Sequence, residues 1–439
     1  MPPTLDNALP PVAVDGRGAA RLDAGHPWVY RSDVLTPPAR PGFAPVVDRR
    51  GRPLGWAAVH PTSQIAVRLL HRGDAPIDEA LLLARLDAAL DLRVALSADA
   101  AAGMAGVTGY RCVHAEADGL PGLIVDRLGP VLVVQNGCAA LEPHLPALVA
   151  RLAERLAPQG VVGRFDARAR TLEGLPTEVR LLYGEVPDHV DVSDGELTWR
   201  VDPRAGQKTG AFLDQRLNHR RLAEASAAYA GAAAHTGAAA RTGAAARTGA
   251  AARTGAAART VGAAGIDALD AFSHHGGFGL HLLRAGARSV ELVDSSASAL
   301  EAAAATAARH GLPRPKLVRA DAFECLRALE REGRRFGAIS IDPPALAKRA
   351  RDLERAMAGY KELNLRAMRL LAPGGVLGTS SCSAHLQEAE FLNVLADAAA
   401  DAGRELHVLG RYGAAPDHPE RLGFPESRYL KFVLLRAAD

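Results

Sequence analysis

The sequence predicts an α/β protein whose C-terminal half is a doubly wound, mostly parallel sheet, preceded by a small β-rich module and a small α/β module. Three observations carry this expectation. Five apolar strand-like runs (IDALDAF, SVELVD, KLVRAD, GAISID and GGVLGTSS) follow residue 265, each trailed by helical or loop sequence, as parallel strands with crossover helices require. A glycine-rich segment directly after the first run opens a helix. Short strands separated by turn signals fill the first 75 residues.

In chain order, residues 1–75 contain WVYRSDVL, then APVVDRRGRPLGWAAV with a Gly-Arg-Pro turn, then SQIAVRLL. Residues 76–105 change period: Leu83, Leu86, Leu90 and Val94 stand at helical spacing with acidic and Arg residues between them, which predicts a linking helix. Strand signals return over residues 106–200, in LPGLIVDRLGPVLVVQ and in VDVSDGELTWRVD, a hairpin turning at Asp194-Gly195, around one Leu/Ala helix near 141–156. The remaining residues, 201–439, form the sheet domain. It is interrupted at about 231–260 by a low-complexity insertion in which TGAAAR recurs four times from Thr236 to Arg259. A six-residue period matches neither helix nor strand, so this tract offers no continuous core face and reads as an exposed linker.

Composition bounds the function loosely. A chain of 439 residues is long enough for several cores, and a net charge of +3 permits a polyanionic partner without demanding one. The four cysteines, Cys112, Cys138, Cys325 and Cys382, form no CxxC pair, which indicates neither a zinc site nor a disulfide framework and fits a reducing compartment. The start, MPPTLDNALPPVAV, lacks a basic segment followed by a long apolar run. A soluble, cytoplasmic protein without a membrane partner is expected.

The chemistry is expected at the carboxyl ends of the sheet strands. In DAFSHHGGFG, residues 270–279, Gly276, Gly277 and Gly279 would let a cofactor approach the backbone closely. The second strand ends in Asp294, placed to accept from ribose hydroxyls, and the third in Asp321, whose side chain and following backbone could meet an adenine edge. The fourth ends in Asp342-Pro343-Pro344, a carboxylate on a stiffened chain at the mouth of the sheet. That order reads as adenosylmethionine rather than nicotinamide, since GGFG lacks the GxGxxG spacing. Each Asp could also be an ordinary helix cap. Cys382, in Ser-Cys-Ser just past the fifth run, should face Asp342 across the crevice, although a lone cysteine is more often a small buried hydrophobe.

On these residues the chain resembles bacterial 23S ribosomal RNA cytosine-5 methyltransferases. The segments GQKTGAFLDQR (206–216), FSHHGGFGLH, VDSSASALEAA, DAFECL, DPPALAK, GYKELN, SCSAHL and ESRYLKFVLLR stand in that family's order. Upstream, GHPWVYRSDV with GRPLGWAAVHPTSQIAVRLL resembles the family's PUA domain, and DGLPGLIVDRLG with GRFDARARTLEGL its middle domain. The resemblance implies a class I, Rossmann-like methyltransferase domain behind a PUA-like β-barrel, S-adenosyl-L-methionine as cofactor, and large-subunit ribosomal RNA as partner; it allows a homodimer. It also implies roles: Cys382 as nucleophile with Asp342 catalytic, and Phe272, Ser273, Gly276, Gly277, Asp294, Ser295, Asp321, Ala322, Gln207 and Lys208 around the cofactor. The chain departs from the family pattern at His274 and His275, at Leu346, and at Thr306 and His310. The two histidines are expected to be substituted loop residues rather than metal ligands. Two other readings compete: an RNA N-methyltransferase needing no cysteine, and a catalytically inactive RNA-binding ribosome-assembly protein.

Overall fold

The computed structural model describes residues 9–205, 211–239, 265–347 and 349–438. Gln207, Lys208 and most of the TGAAAR tract lie outside the described residues. The chain divides into two units, one of Met1–Asp214 with Ala414–Arg428, the other of Gln215–Gly413 with Tyr429–Asp439.

The first unit opens with β1 (Val12–Val14), helix α1 (Gly16–Asp23), β2 (Trp28–Tyr30), β3 (Gly42–Asp48), β4 (Pro53–Val59) and β5 (Ile65–His71). These strands pair in the order β1-β3-β4-β5-β2 around buried Val12, Val14, Val29, Val46, Ala57 and Val67. Helix α2 (Glu79–Ala98) follows, capped by the Asp78 side chain, which accepts from the Leu81 amide. Its buried residues are Leu82, Leu86, Ala89, Leu90 and Arg93, so of the apolar residues read at helical spacing only Leu86 and Leu90 are fully buried. Leu83 is only half-buried, and Val94 is 64% exposed. Arg93 takes the buried turn because its guanidinium is consumed by fixed acceptors: the Arg111 and Asp417 carbonyls and the Asp118 carboxylate, at 2.9, 2.7 and 2.8 Å.

Next come β6 (Gly109–His114), β7 (Leu123–Leu128), β8 (Val131–Asn136), α3 (Leu145–Leu156), β9 (Gly160–Arg164), the short α4 (Arg168–Leu172) and β10 (Val179–Gly184). They form a sheet in the order β10-β9-β8-β7-β6. The hairpin read at Asp194-Gly195 is present: β11 (Val190–Ser193) pairs antiparallel with β12 (Thr198–Val201), and Gly195 turns with φ +96°.

The second unit begins with a long helix the sequence reading missed, α5 (Arg216–Ala239). Then β13 (Asp267–Ala271), α6 (Gly277–Arg284), β14 (Ser289–Asp294), α7 (Ala297–Arg309), β15 (Lys316–Arg319), α8 (Ala322–Arg331), β16 (Phe336–Ile341), α9 (Leu353–Leu370), β17 (Leu371–Ser381), α10 (Glu388–Ala402), β18 (Leu406–Tyr412) and β19 (Lys431–Ala437) alternate along the chain. The five expected strands are all there, and two more were not anticipated. Sheet order is β15-β14-β13-β16-β17-β19-β18, parallel from β15 through β17, with β19 inserted antiparallel beside β17. On one face, Tyr360, Leu363 and Ala367 of α9 and Phe391 and Ala398 of α10 share a core with Ile339, Ile341, Leu377 and Val433 of the strands. Strands covered this way read as continuous apolar runs.

Candidate active site

The strand order reverses between β13 and β16, neighbours in the sheet that run on to opposite edges. Ligands of open α/β sheets bind outside the carboxyl ends of the strands at such a point. Here those ends deliver Phe272 after β13, Asp342 after β16 and Cys382 after β17.

The turn after β13 is held in an uncommon shape. Phe272, His274 and Gly276 have φ of 63°, 46° and 82°, and the first two are not glycine. Hydrogen bonds fix it: the Ser273 amide donates to the Val293 carbonyl at 3.0 Å, and the Gly276 amide to the Ser273 carbonyl at 2.7 Å. Asp294 clamps the loop, since its Oδ2 accepts from the His274 amide at 2.9 Å while Oδ1 accepts from the Ser296 amide at 2.8 Å. The histidines that depart from the family pattern turn to one another, with Nδ1 atoms 2.7 Å apart.

Two of the glycines answer to packing inside the unit. A Cβ on Gly277 would stand 2.5 Å from the His219 ring, and one on Gly279 would stand 2.3 Å from Cδ2 of Leu292. Gly279 also donates its amide to Asp270 Oδ2 at 2.8 Å. Burial pushes the Asp270 carboxyl up to about 7, against which the Gly279 amide pulls down; the carboxylates of Asp342 and Asp294 push the same way as burial. A buried carboxyl at the root of the loop was not singled out from the sequence.

The other expected cofactor residues separate into groups. Phe272 is half-buried with its ring edge-on to Phe323 at 6.3 Å, and Ser295 is exposed beside Asp294. Asp321 is exposed and caps α8, its Oδ1 accepting from the Glu324 amide at 3.2 Å, while Ala322 is buried as the first residue of that helix. Asp321 thus performs the local role any Asp in that position can take.

Cys382 meets the backbone just after Asp342. The Cys382 thiol, half-buried, points at the Pro343 carbonyl with 3.9 Å between Sγ and oxygen. Asp342 Oδ1 accepts from Gln215 Nε2 at 2.9 Å. Beyond the thiol, Ser383 stitches the two loops: its Oγ accepts from the Ala347 amide at 3.1 Å and lies 3.0 Å from the Tyr360 hydroxyl. Lys431, buried on β19, donates to the Ser383 and Tyr429 carbonyls at 2.7 and 2.9 Å. Gln215, Ser383, Tyr360 and Lys431 escaped the sequence reading, although all four stand inside segments that carry the family resemblance.

The residues present fit a nucleoside cofactor bearing a positive charge. Ser273 Oγ is buried, 6% exposed as a residue, with no hydrogen-bond partner among the described residues. A buried hydroxyl left unmatched costs about 1–3 kcal/mol unless something else bonds it. Two carboxylates, Asp294 and Asp342, stand at the carboxyl ends of β14 and β16 beside this loop, which suits a cation.

Comparison with known proteins agrees with the geometry. Residues 12–72 match the model of a PUA-like domain. The ribosomal RNA large subunit methyltransferase I of Shewanella amazonensis is 36% identical over 422 residues, 94% of this chain and 96% of its own length. A ribosomal RNA large subunit methyltransferase of Deinococcus radiodurans is also 36% identical, over 94% of this chain and 93% of its own. Among solved structures, a protein from Streptococcus mutans assigned as a SAM-dependent methyltransferase superposes with a TM-score of 0.76 at 17% identity, over 97% of this chain and 99% of that one. A second, at 16% identity and the same TM-score, was solved with SAH. By its identity to relatives over nearly the whole chain, the protein belongs to the ribosomal RNA large subunit methyltransferase I family, and it is an S-adenosylmethionine-dependent methyltransferase.

Proposed function

We propose that the protein methylates carbon 5 of a cytosine in large-subunit ribosomal RNA, with Cys382 as nucleophile and Asp342 as the residue that holds the base. The observation that carries this reading is the approach of the Cys382 thiol to the Pro343 carbonyl, which sets it one residue from Asp342 at the switch point of the sheet.

Cytosine C5 is a weak nucleophile, so the reaction needs prior activation. Cys382, as thiolate, adds to C6; the C5–C6 π electrons move toward C5 and N3, and N3 takes up a proton from solvent, held by the Asp342 carboxylate, that is given back when the C5–C6 double bond re-forms. Asp342 also accepts from the exocyclic amine on the same edge. S-adenosylmethionine, when bound, would supply an electrophilic methyl group to C5, its S–CH3 bond breaking with S-adenosylhomocysteine as the leaving group. A base then removes the C5 proton, the electron pair re-forms the C5–C6 double bond, and the thiolate of Cys382 leaves C6. Ser273, Asp294, Phe272 and Gly276, with Gln207 and Lys208, are the residues we assign to holding the cofactor; Gly277 allows the helix after the loop to pack. The PUA-like module, residues 12–72, would grip RNA through backbone and shape, and the target base must leave its stack to reach the crevice. Among the described residues no helix is long and apolar enough to cross a membrane.

The test is to incubate the protein with labelled S-adenosylmethionine and ribosomal RNA and to identify the modified nucleoside by mass. Labelled 5-methylcytidine is expected. A base methylated on a ring or exocyclic nitrogen, by a Cys382→Ala variant of normal rate, would overturn the covalent route.

A further inference from the structure

Helix α5 opens with a row of polar side chains three residues apart, Gln215 just before it, then Asn218 and Arg221. Gln215 is 2% exposed and Asn218 1%. Side chains at this spacing share one face of a helix, and polar groups so deeply buried must find partners.

The partners form a chain whose direction is forced. Arg221 carries only donors, and its Nη1 gives a hydrogen bond to Asn218 Oδ1 at 2.8 Å. The opposite end of that amide, Nδ2, therefore donates, and it meets two acceptors: the Gly413 carbonyl at 3.1 Å and Gln215 Oε1 at 2.7 Å. With its oxygen engaged by Asn218, Gln215 turns Nε2 the other way, where it donates to Asp342 Oδ1 at 2.9 Å and to Ser380 Oγ at 3.0 Å. An amide is often ambiguous between its two ends. Here an arginine at one end of the relay and backbone carbonyl and carboxylate acceptors at the other remove the ambiguity. Arg221 is itself seated, its guanidinium carbon 4.0 Å over the Tyr412 ring.

Gln215 thus bridges the ends of β16 and β17, joining the carboxylate that precedes Pro343 to the serine two residues before Cys382. We propose that Gln215 is a positioning residue that holds Asp342 in the accepting form and orientation, and that through Asp342 it selects a base presenting donors at N4 and protonated N3 over one presenting an oxygen at C4, cytosine over uracil. The inference rests on the cytosine reading above and adds a determinant to it. An amide donor on Oδ1 stabilises the carboxylate against its protonated form. A carboxylate rewards an amino group opposite it and leaves a carbonyl oxygen repelled, a difference no neutral hydroxyl or amide at that place would supply. Charged or titratable groups on the elements around Asp342 include Asp270 on β13, Asp294 after β14, Arg216 and His219 on α5, His281 on α6, Cys382 after β17, Tyr412 on β18 and Lys431 on β19.

Two variants test it in the full-length protein, with Tm and SAH binding recorded for each. Gln215→Glu keeps the shape and puts a second carboxylate against Asp342, so the two must share a proton. The acid limb of its kcat–pH profile is expected to move up by about one pH unit or more, with activity recovering above it. Gln215→Met removes the donor without adding charge; kcat on cytosine-containing RNA is expected to fall about ten- to a hundredfold while KM changes little, and the preference for cytosine over uracil in matched RNAs narrows. Should the Glu variant fail to fold, the Met variant decides alone. Unchanged kcat and unchanged base preference in a folded Met variant overturn the inference. If instead the wild-type protein makes no 5-methylcytidine, it is the proposed function that fails, and the two failures are told apart by the wild-type product.

Discussion

Cys382 Sγ lies 3.9 Å from the carbonyl oxygen of Pro343, so the thiol after β17 meets the backbone of the residue that follows Asp342 at the end of β16. Ser383 and Lys431 hold the far side of the thiol, and Gln215 holds the carboxylate. The arrangement is built by backbone and buried side chains, as the proposed placement of two groups against one base requires.

Cysteine reactivity should separate sharply. Burial pushes the thiols of Cys112 and Cys138 up to about 12, and half-burial raises Cys325 as well. With iodoacetamide near pH 8, peptide mass mapping should find Cys382 alkylated first and Cys112 and Cys138 untouched until the protein unfolds. Labelling of Cys112 ahead of Cys382 in the native protein would refute this order.

Ser273→Ala should help the empty protein and hurt the loaded one. Deleting a buried hydroxyl with no partner removes a desolvation cost, so Tm without cofactor should stay level or rise, by up to about 1 kcal/mol of stability. SAH affinity measured by calorimetry should fall about three- to tenfold. A variant that binds SAH as well as the wild type would remove Ser273 from the cofactor site.

Gly279→Ala should destabilise the second unit by about 1–3 kcal/mol, because the new methyl meets Leu292 at 2.3 Å and crowds Asp270 Oδ2 at 3.1 Å. Thermal unfolding checks it. An unchanged Tm would mean that the glycine serves a ligand rather than the packing of α6 on β14.

Much of this fold was legible in the sequence because parallel strands buried on both faces write themselves as unbroken apolar runs. β19 is equally apolar, yet its antiparallel insertion beside β17 has no local mark, and β18 is a partly exposed edge strand with Leu406 and Tyr412 half-buried and Val408 53% exposed. The buried face of α2 could not be read from apolar spacing alone, because an arginine, Arg93, is buried on it. Asp342 and Cys382 were readable as strand-end residues. Gln215 was not, since its role depends on partners 127 and 165 residues away. For Asp294 the sequence suggested a ribose contact, and the structure adds a clamp on the His274 amide. Asp321 illustrates the converse, a strand-end carboxylate serving as a helix cap.

Asp270 should leave a signature in the pH dependence of stability. Its carboxyl titrates at about 7 when folded against 3.8 as an ordinary Asp, so the folded state binds the proton more tightly. Stability from this group is complete below pH 3.8, declines as pH rises toward 7 and is flat above, a loss on the order of 4 kcal/mol at 1.36 kcal/mol per unit. Asp270→Asn, which keeps an acceptor for the Gly279 amide, should flatten Tm between pH 5 and 8 relative to the wild type. Parallel profiles for the two proteins would contradict the raised value.

The central claim is the covalent bond from Cys382 to a cytosine, and it can be caught directly. In RNA carrying 5-fluorocytosine at the target, the C5 substituent that must depart cannot leave as a cation, so the methylated adduct persists after thiolate addition. Mixed with this RNA and S-adenosylmethionine, the wild-type protein should give a complex that survives denaturing electrophoresis and whose digest carries the nucleotide on the Cys382 peptide, and Cys382→Ala should give none. A complex that forms equally in Cys382→Ala, or a fluorinated RNA methylated and released without any covalent species, would contradict it.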